Sequence, residues 1–257
     1  MRFRPCIDIH NGKVKQIVGG SLKDQGNYAD ENFVSEQDAA WYAGLYCEKQ
    51  CSGGHVILLN HKSSEYYEET KKQALKALRA FPGGLQVGGG ITDETAEEFL
   101  QAGASHVIVT SFVFQNGQVY EKNLERLVRA VGRDRITLDV SCRKNNGRYM
   151  VVTDRWQKFT DVELTTDVLD WLSGYCDEFL IHAVDVEGKA SGIEADLVKR
   201  LAAWGKIPMT YAGGVGNFEH LQQLKTLGQD KLDVTIGSAL DLFGGTMNFE
   251  EVLRFMN

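Results

Sequence analysis

Leu85-Gln-Val-Gly-Gly-Gly90-Ile91-Thr92 and Met209-Thr-Tyr-Ala-Gly-Gly214-Val215-Gly216 follow one pattern, a short apolar strand that runs into glycines. Gly214 stands 124 residues after Gly90, and three further matches keep nearly that offset in the same order. Val107-Ile-Val-Thr-Ser111 answers Val234-Thr-Ile-Gly-Ser238 at 127, Ile57 in the run 55–59 answers Ile181 in the run 178–182 at 124, and Cys6-Ile-Asp8-Ile answers Thr137-Leu-Asp139-Val at 131. An ordered repeat of this kind marks a chain built from two equivalent halves.

Outward from these anchors, β-rich apolar runs alternate with amphipathic stretches of helical period. Strands are expected at 3–9, 55–59, 85–87, 106–109, 136–140, 179–182, 209–211 and 234–236. Helices are expected at 36–50, 65–80, 94–102, 122–131, 166–172, 195–204, 218–227 and 249–255. Eight strand–helix units give an α/β chain with a parallel sheet. A two-fold repeat of four units closes into a ring, whereas an open doubly wound sheet has no reason to repeat this way. The expected fold is therefore a (β/α)8 TIM barrel made of two (β/α)4 halves, one domain over residues 1–257. The length is ordinary for that architecture.

The bulk composition removes several functions. A net charge of −7 argues against a nucleic-acid surface. No apolar run is long enough to cross a bilayer, and the short stretch before Asp8 is no export signal. Five cysteines, Cys6, Cys47, Cys51, Cys142 and Cys176, form an odd set without a paired metal or disulfide spacing. Free thiols in a reducing cytoplasm are the expected state.

Functional residues of a barrel gather at the C-terminal ends of its strands. Asp8 ends the first strand and Asp139 the fifth, so they should face each other across the mouth. Two carboxylates on opposite walls suit a reaction that protonates one side of a substrate and deprotonates the other. Gly89, Gly90, Gly213 and Gly214 follow strands three and seven; Thr110, Ser111, Gly237 and Ser238 follow strands four and eight. Glycine admits an anion close to the backbone, and a helix start aims N–H groups at it. Two phosphate sites follow, one near Gly90 and Ser111, the other near Gly192, Gly214 and Ser238. Because the chain is acidic, backbone N–H groups should do most of the holding. His182 and Asp185, after strand six, and Trp156, in the long 141–161 loop, are candidate substrate contacts. The 11–35 and 141–161 loops are candidate lids. His10 lies two residues after Asp8, but the six scattered histidines form no metal motif, so no metal site is expected there.

Cys6-Ile-Asp8-Ile-His-Asn-Gly-Lys-Val, Val87-Gly-Gly-Gly-Ile91, Leu138-Asp139-Val, Tyr211-Ala-Gly-Gly-Val215 and Ile236-Gly-Ser-Ala-Leu240 resemble the phosphoribosylformimino-5-aminoimidazole carboxamide ribotide isomerases of histidine biosynthesis, over essentially the whole chain. Val140-Ser-Cys-Arg-Lys144 and Leu242-Phe-Gly-Gly245 are closer to the eukaryotic branch. The resemblance implies an Amadori rearrangement of a bisphosphorylated aminoaldose to the aminoketose, without metal or cofactor and by a monomer. It implies Asp8 as the base that takes the C2′ proton and Asp139, with a raised pKa, as the acid that assists ring opening. One departure leaves the acid open. Relatives carry His-Thr and then Asp-Gly-Thr after strand six, whereas this chain reads His182-Ala-Val-Asp185-Val-Glu187-Gly188, one residue shorter. Asp185 or Glu187 could replace the missing carboxylate. The alternatives are the sister cyclase subunit of imidazole glycerol phosphate synthase, which works with a glutaminase, a non-catalytic sugar-phosphate-binding barrel, and an isomerase that also accepts phosphoribosylanthranilate.

Overall fold

The computed structural model describes residues 1–18, 21–23 and 25–256; Gly19, Gly20 and Asp24, within the 11–35 loop, and Asn257 lie outside the described residues. Eight parallel strands carry the fold: β1 Cys6–His10, β2 Gly54–Leu58, β3 Leu85–Gly88, β4 Val107–Val109, β5 Ile136–Asp139, β6 Glu178–His182, β7 Met209–Ala212 and β8 Asp233–Thr235. Each pairs in parallel with the next, from β1–β2 through β7–β8. Phe3 bridges Val234 in parallel, the Arg4 N–H donates to the Val234 carbonyl at 2.8 Å, and the Val234 N–H donates to the Arg2 carbonyl at 2.9 Å. The sheet is thereby closed into a ring, as the repeat predicts.

Eight helices follow the strands: α1 Ala39–Glu48, α2 Tyr67–Ala80, α3 Ala96–Gln101, α4 Glu121–Val131, α5 Thr166–Leu172, α6 Ala195–Trp204, α7 Phe218–Leu227 and α8 Phe249–Met256. Several begin where a side chain satisfies a free N–H group: Asp38 accepts from Trp41, Thr165 from Val168 and Asn217 from His220. The Asp38 cap explains why α1 starts three residues later than the apolar period alone implies. On α2, Thr70, Ala74, Ala77 and Leu78 are buried at helical spacing, the face that packs inward.

Strands in a closed barrel bury both faces, and β3 and β7 are buried throughout. Val56, Val87, Val107 and Leu138 belong to the apolar core, while His55, Gln86 and Thr137, at alternate positions, are buried polar side chains. At the N-terminal end lies a buried ionic floor. Arg4 Nε meets Asp233 at 2.8 Å and its guanidinium lies 3.4 Å from Glu178, which also accepts from Gln86 at 3.0 Å and Thr210 at 2.8 Å. Each charge has a partner, which burial requires.

The two long loops are more regular than expected. Residues Lys13–Ile17 and Glu31–Val34 form an antiparallel extension of β1. The stretch after β5 is a three-stranded meander of Cys142–Asn145, Arg148–Thr153 and Lys158–Glu163. Asn11-Gly12 and Asn146-Gly147 make the tight turns, all four at positive φ. Asn and Gly tolerate that conformation, and its twist suits a two-residue hairpin. The meander reaches the first loop, where Gln157 Nε2 donates to the Leu22 carbonyl at 2.8 Å.

Candidate active site

Asp8 and Asp139 both line one cavity at the C-terminal end of the barrel. The cavity has two lobes, one toward β3 and β4, the other toward β7 and β8. Asp8, Gln16, His182 and Glu187 belong to both lobes and stand at their junction.

Each lobe ends in a glycine turn. Gly89 and Gly90 have φ of 112° and 68°, and Gly213 and Gly214 have 122° and 75°, so the two halves repeat down to the backbone. A Cβ on Gly89 would come within 2.2 Å of the Leu58 carbonyl oxygen, so neither the angle nor the space admits a side chain. Beside these turns, the Val113 and Phe114 N–H groups close on the Thr110 carbonyl, and the Leu240 N–H closes on the Gly237 carbonyl. Among the described residues, nothing accepts from the N–H groups of Gly90 and Ser111 on one side or Gly214 and Ser238 on the other. Both lobes thus end in unspent backbone donors, the arrangement that captures phosphate. Gly192 plays a different part, because its N–H is given to the Gly214 carbonyl at 3.0 Å and it braces the second turn from behind. Lys62, which the sequence reading passed over, is exposed beside Gly90, with Cε 3.7 Å from where a Gly90 Cβ would lie.

The two aspartates live in different surroundings. Asp8 accepts no hydrogen bond among the described residues, and burial pushes its carboxyl up to about 7. Asp139 is also raised by burial, but Ser141 and Thr110 oppose the rise. The Ser141 N–H donates to it at 2.8 Å, the Ser141 hydroxyl donates to the same oxygen, and Thr110 Oγ1 donates to the other at 3.2 Å. The Thr110 hydroxyl is therefore spent on Asp139. Ser141 Oγ also accepts the His182 N–H at 3.1 Å and lies 3.0 Å from Nδ1 of that ring. With its own proton on Asp139, Oγ must accept from Nδ1–H, which leaves Nε2 of His182 as an acceptor. Burial lowers this imidazole to about 4, so it is neutral in the folded protein.

The segment after β6 separates Asp185 from Glu187. Asp185 is bound to the meander, accepting from Arg143 Nε at 3.0 Å and the Lys144 N–H at 2.8 Å, and it lines neither lobe. Glu187 lines both, its Oε2 is buried without a partner, and burial together with the charge of Asp8 lifts it to about 7. Trp156 lies at the meander tip, lines the cavity and sits 5.0 Å from the His182 ring. Asp154, Arg155 and Trp156 in succession have positive φ, which holds this tip in a sharp left-handed turn. His10 is buried with Nδ1 unpartnered and lines neither lobe. Among the described residues, no three His, Cys, Asp or Glu side chains group as a metal site would need.

A closed (β/α)8 barrel with a carboxylate pair at its mouth and two mirrored glycine turns defines a class, the two-fold repeated α/β barrels. Within that class the chain belongs to the histidine biosynthesis protein family, whose model matches residues 2–247. It is 51% identical over its whole length to the chloroplastic 1-(5-phosphoribosyl)-5-((5-phosphoribosylamino)methylideneamino)imidazole-4-carboxamide isomerase of Medicago truncatula, covering 82% of that protein. It is 47% identical to the isomerase of the same name from Neurospora crassa, over 95% of the chain and 93% of the relative. The Saccharomyces cerevisiae isomerase of that name is 43% identical over 99% and 97%.

Proposed function

We propose that the chain is the isomerase of histidine biosynthesis that converts the bisphosphorylated N-ribosyl aminoaldose (ProFAR) to its aminoketose (PRFAR). The observation that carries the reading is the placement of Asp8 and Asp139 on one cavity that ends in two glycine turns with free N–H groups. A substrate with a phosphate at each end is held across such a mouth with its reacting ribose beside the carboxylates. The acid delivers a proton to the ribose ring oxygen as the bond from C1′ to that oxygen opens. The base takes the C2′ proton, C1′ gains one, and the C2′ hydroxyl gives up its proton to become the ketone. No atom is gained or lost. Binding energy of the phosphates orients the ribose, so the carboxylates need supply only proton transfer.

Asp8 is the base: it lacks hydrogen-bond donors that would blunt its basicity, and its pKa near 7 matches a base working near neutrality. Asp139 is the acid in the pairing of β1 with β5. A second reading gives that role to Glu187, favoured by its buried, unpartnered Oε2 beside Asp8. His182 and Trp156 bind the substrate, with His182 Nε2 accepting from it; Asp185 positions the meander. The chain acts as one barrel domain, as a monomer, in the cytoplasm. No described helix is long and apolar enough to cross a membrane.

The test is an assay of the purified chain with the bisphosphorylated aminoaldose, alone and with ammonia or a glutaminase. Aminoketose formed without either supports the reading. Turnover that requires a nitrogen donor would assign the chain to the cyclase chemistry instead. Binding without turnover would make it a sugar-phosphate carrier.

A further inference from the structure

Gln16 has no part in the mechanism above, yet it stands at the junction of the two lobes with Asp8, His182 and Glu187. It is 5% exposed, on the Lys13–Ile17 strand that folds back over the mouth. A buried carboxamide has two donors and a double acceptor to satisfy. Among the described residues the only hydrogen-bond partner of the carboxamide is the Cys6 thiol, at 3.6 Å from Nε2, a weak acceptor. Its Oε1 accepts nothing from them and lies 2.3 Å from where a Cβ on Gly237 would sit, so the amide rests directly on the glycine turn after β8. Thr235 lines the same lobe, and its Oγ1 is likewise buried without a partner. Two buried neutral polar groups with unspent capacity therefore flank the path between Asp8 and the Gly237–Ser238 turn. A charged phosphate finds its donors in the backbone, and what lies between phosphate and reacting carbon is a ribose with its hydroxyls. A hydroxyl both gives and takes a hydrogen bond, and so does a carboxamide.

We propose that Gln16 is a substrate-contacting residue whose carboxamide binds a ribose hydroxyl of the phosphoribosyl arm seated at the β8 turn. The assignment rests on the isomerase reading, so wild-type turnover is established first; its absence would count against that reading and not against Gln16. Gln16→Leu and Gln16→Met keep the volume and remove the polarity. Either is expected to weaken binding of the bisphosphorylated substrate by about tenfold, the scale of one neutral hydrogen bond that is lost and leaves its partner unpaired. Inhibition by inorganic phosphate should be unchanged in both, because the turn itself is untouched. Gln16→Glu adds a third carboxyl at the lobe junction. It should move the rising limb of the pH–rate profile upward, since a like charge beside Asp8 makes its ionisation harder. If substrate and phosphate affinity fall together, Gln16 is a brace for the Gly237 turn and the proposal fails. It fails equally if the Leu or Met variant, whichever folds, binds substrate as wild type does, or if the Gln16→Glu profile does not move.

Discussion

The first half-barrel and the second each carry an aspartate on the opening strand, Asp8 third of the five residues of β1 and Asp139 last in β5, yet they dress it differently. Asp8 is left without a donor among the described residues, and its charge adds to the burial that raises Glu187 across the lobe junction. Asp139 receives Ser141 and Thr110 from its own side of the mouth. The glycine turns show the same divergence. A Cβ on Gly90 would meet only the Lys62 stem, at 3.7 Å, while one on Gly214 would strike the Gly192 carbonyl oxygen at 1.9 Å. A duplicated backbone can thus supply two equivalent positions whose neighbours set unlike proton affinities.

The sharpest way to break this comparison is to remove each carboxyl in turn. Asp8→Asn should lower kcat by at least ~10²-fold, the low end for a positioned proton-transfer group, with substrate affinity little changed. Asp139→Asn should do the same under the β1–β5 pairing. If steady-state kinetics find Asp139→Asn nearly silent while Glu187→Gln abolishes turnover, the acid lies after β6, and the comparison belongs to Asp8 and Glu187.

The glycine turns offer the next largest effect. Gly214→Ala should cost about 3 kcal/mol or more, because it combines positive φ with a collision against fixed backbone. Gly90→Ala should cost only ~1 kcal/mol, the price of the angle alone. Urea unfolding of the two variants reads the difference directly, and equal losses would mean the second turn is no tighter than the first.

Burial of an unpartnered carboxyl has a signature in stability. Asp8 is raised from 3.8 to about 7 in the folded chain, so folding disfavours its charged form. Stability from this group is whole at low pH and is lost as pH rises toward 7. Asp8→Asn cannot ionise, so its stability relative to wild type should increase by about 2 kcal/mol between pH 5 and pH 8. Denaturant titrations at the two pH values check this, and a difference that shrinks with pH would reverse the sign. The smallest effect is expected for Ser141→Ala. It removes one of the donors that hold Asp139 down, so the Asp139 pKa should rise and the falling limb of the pH–rate profile should move upward, with only a small change in kcat at its optimum. A pH–rate profile that does not move would mean Ser141 serves His182 alone.

The closed ring, the two aspartates and the matched turns were legible because each is written twice, and a repeat carries its own check. The groups that occur once were harder. Nothing in the sequence told Asp185 from Glu187, since both are acidic and follow β6 at a turn; the hydrogen bonds from Arg143 and Lys144 to Asp185, and the place of Glu187 on both lobes, separate them. Gln16 lies on a strand that continues past the repeat. The meander reads as a loop in the sequence because Arg, Lys and Asn crowd its first strand. Asn146-Gly147 was the signal available, as Asn11-Gly12 was in the first half and Asn116-Gly117 was before α4, where it turns the small hairpin of Phe114–Gln115 and Gln118–Val119.

The seam that closes the ring also sets a timetable. Arg2 and Arg4 must wait for Val234 and Asp233, more than two hundred residues further along the chain. A ribosome adding residues from the N-terminus therefore releases β1 with one edge bare until nearly the whole chain has emerged. During that interval the first four units can settle against one another, but the ionic floor lacks Glu178 and Asp233, and Arg4 has neither carboxylate. The last strand both finishes the sheet and neutralises the guanidinium, so closure and charge pairing arrive as a single late event in the life of the nascent chain.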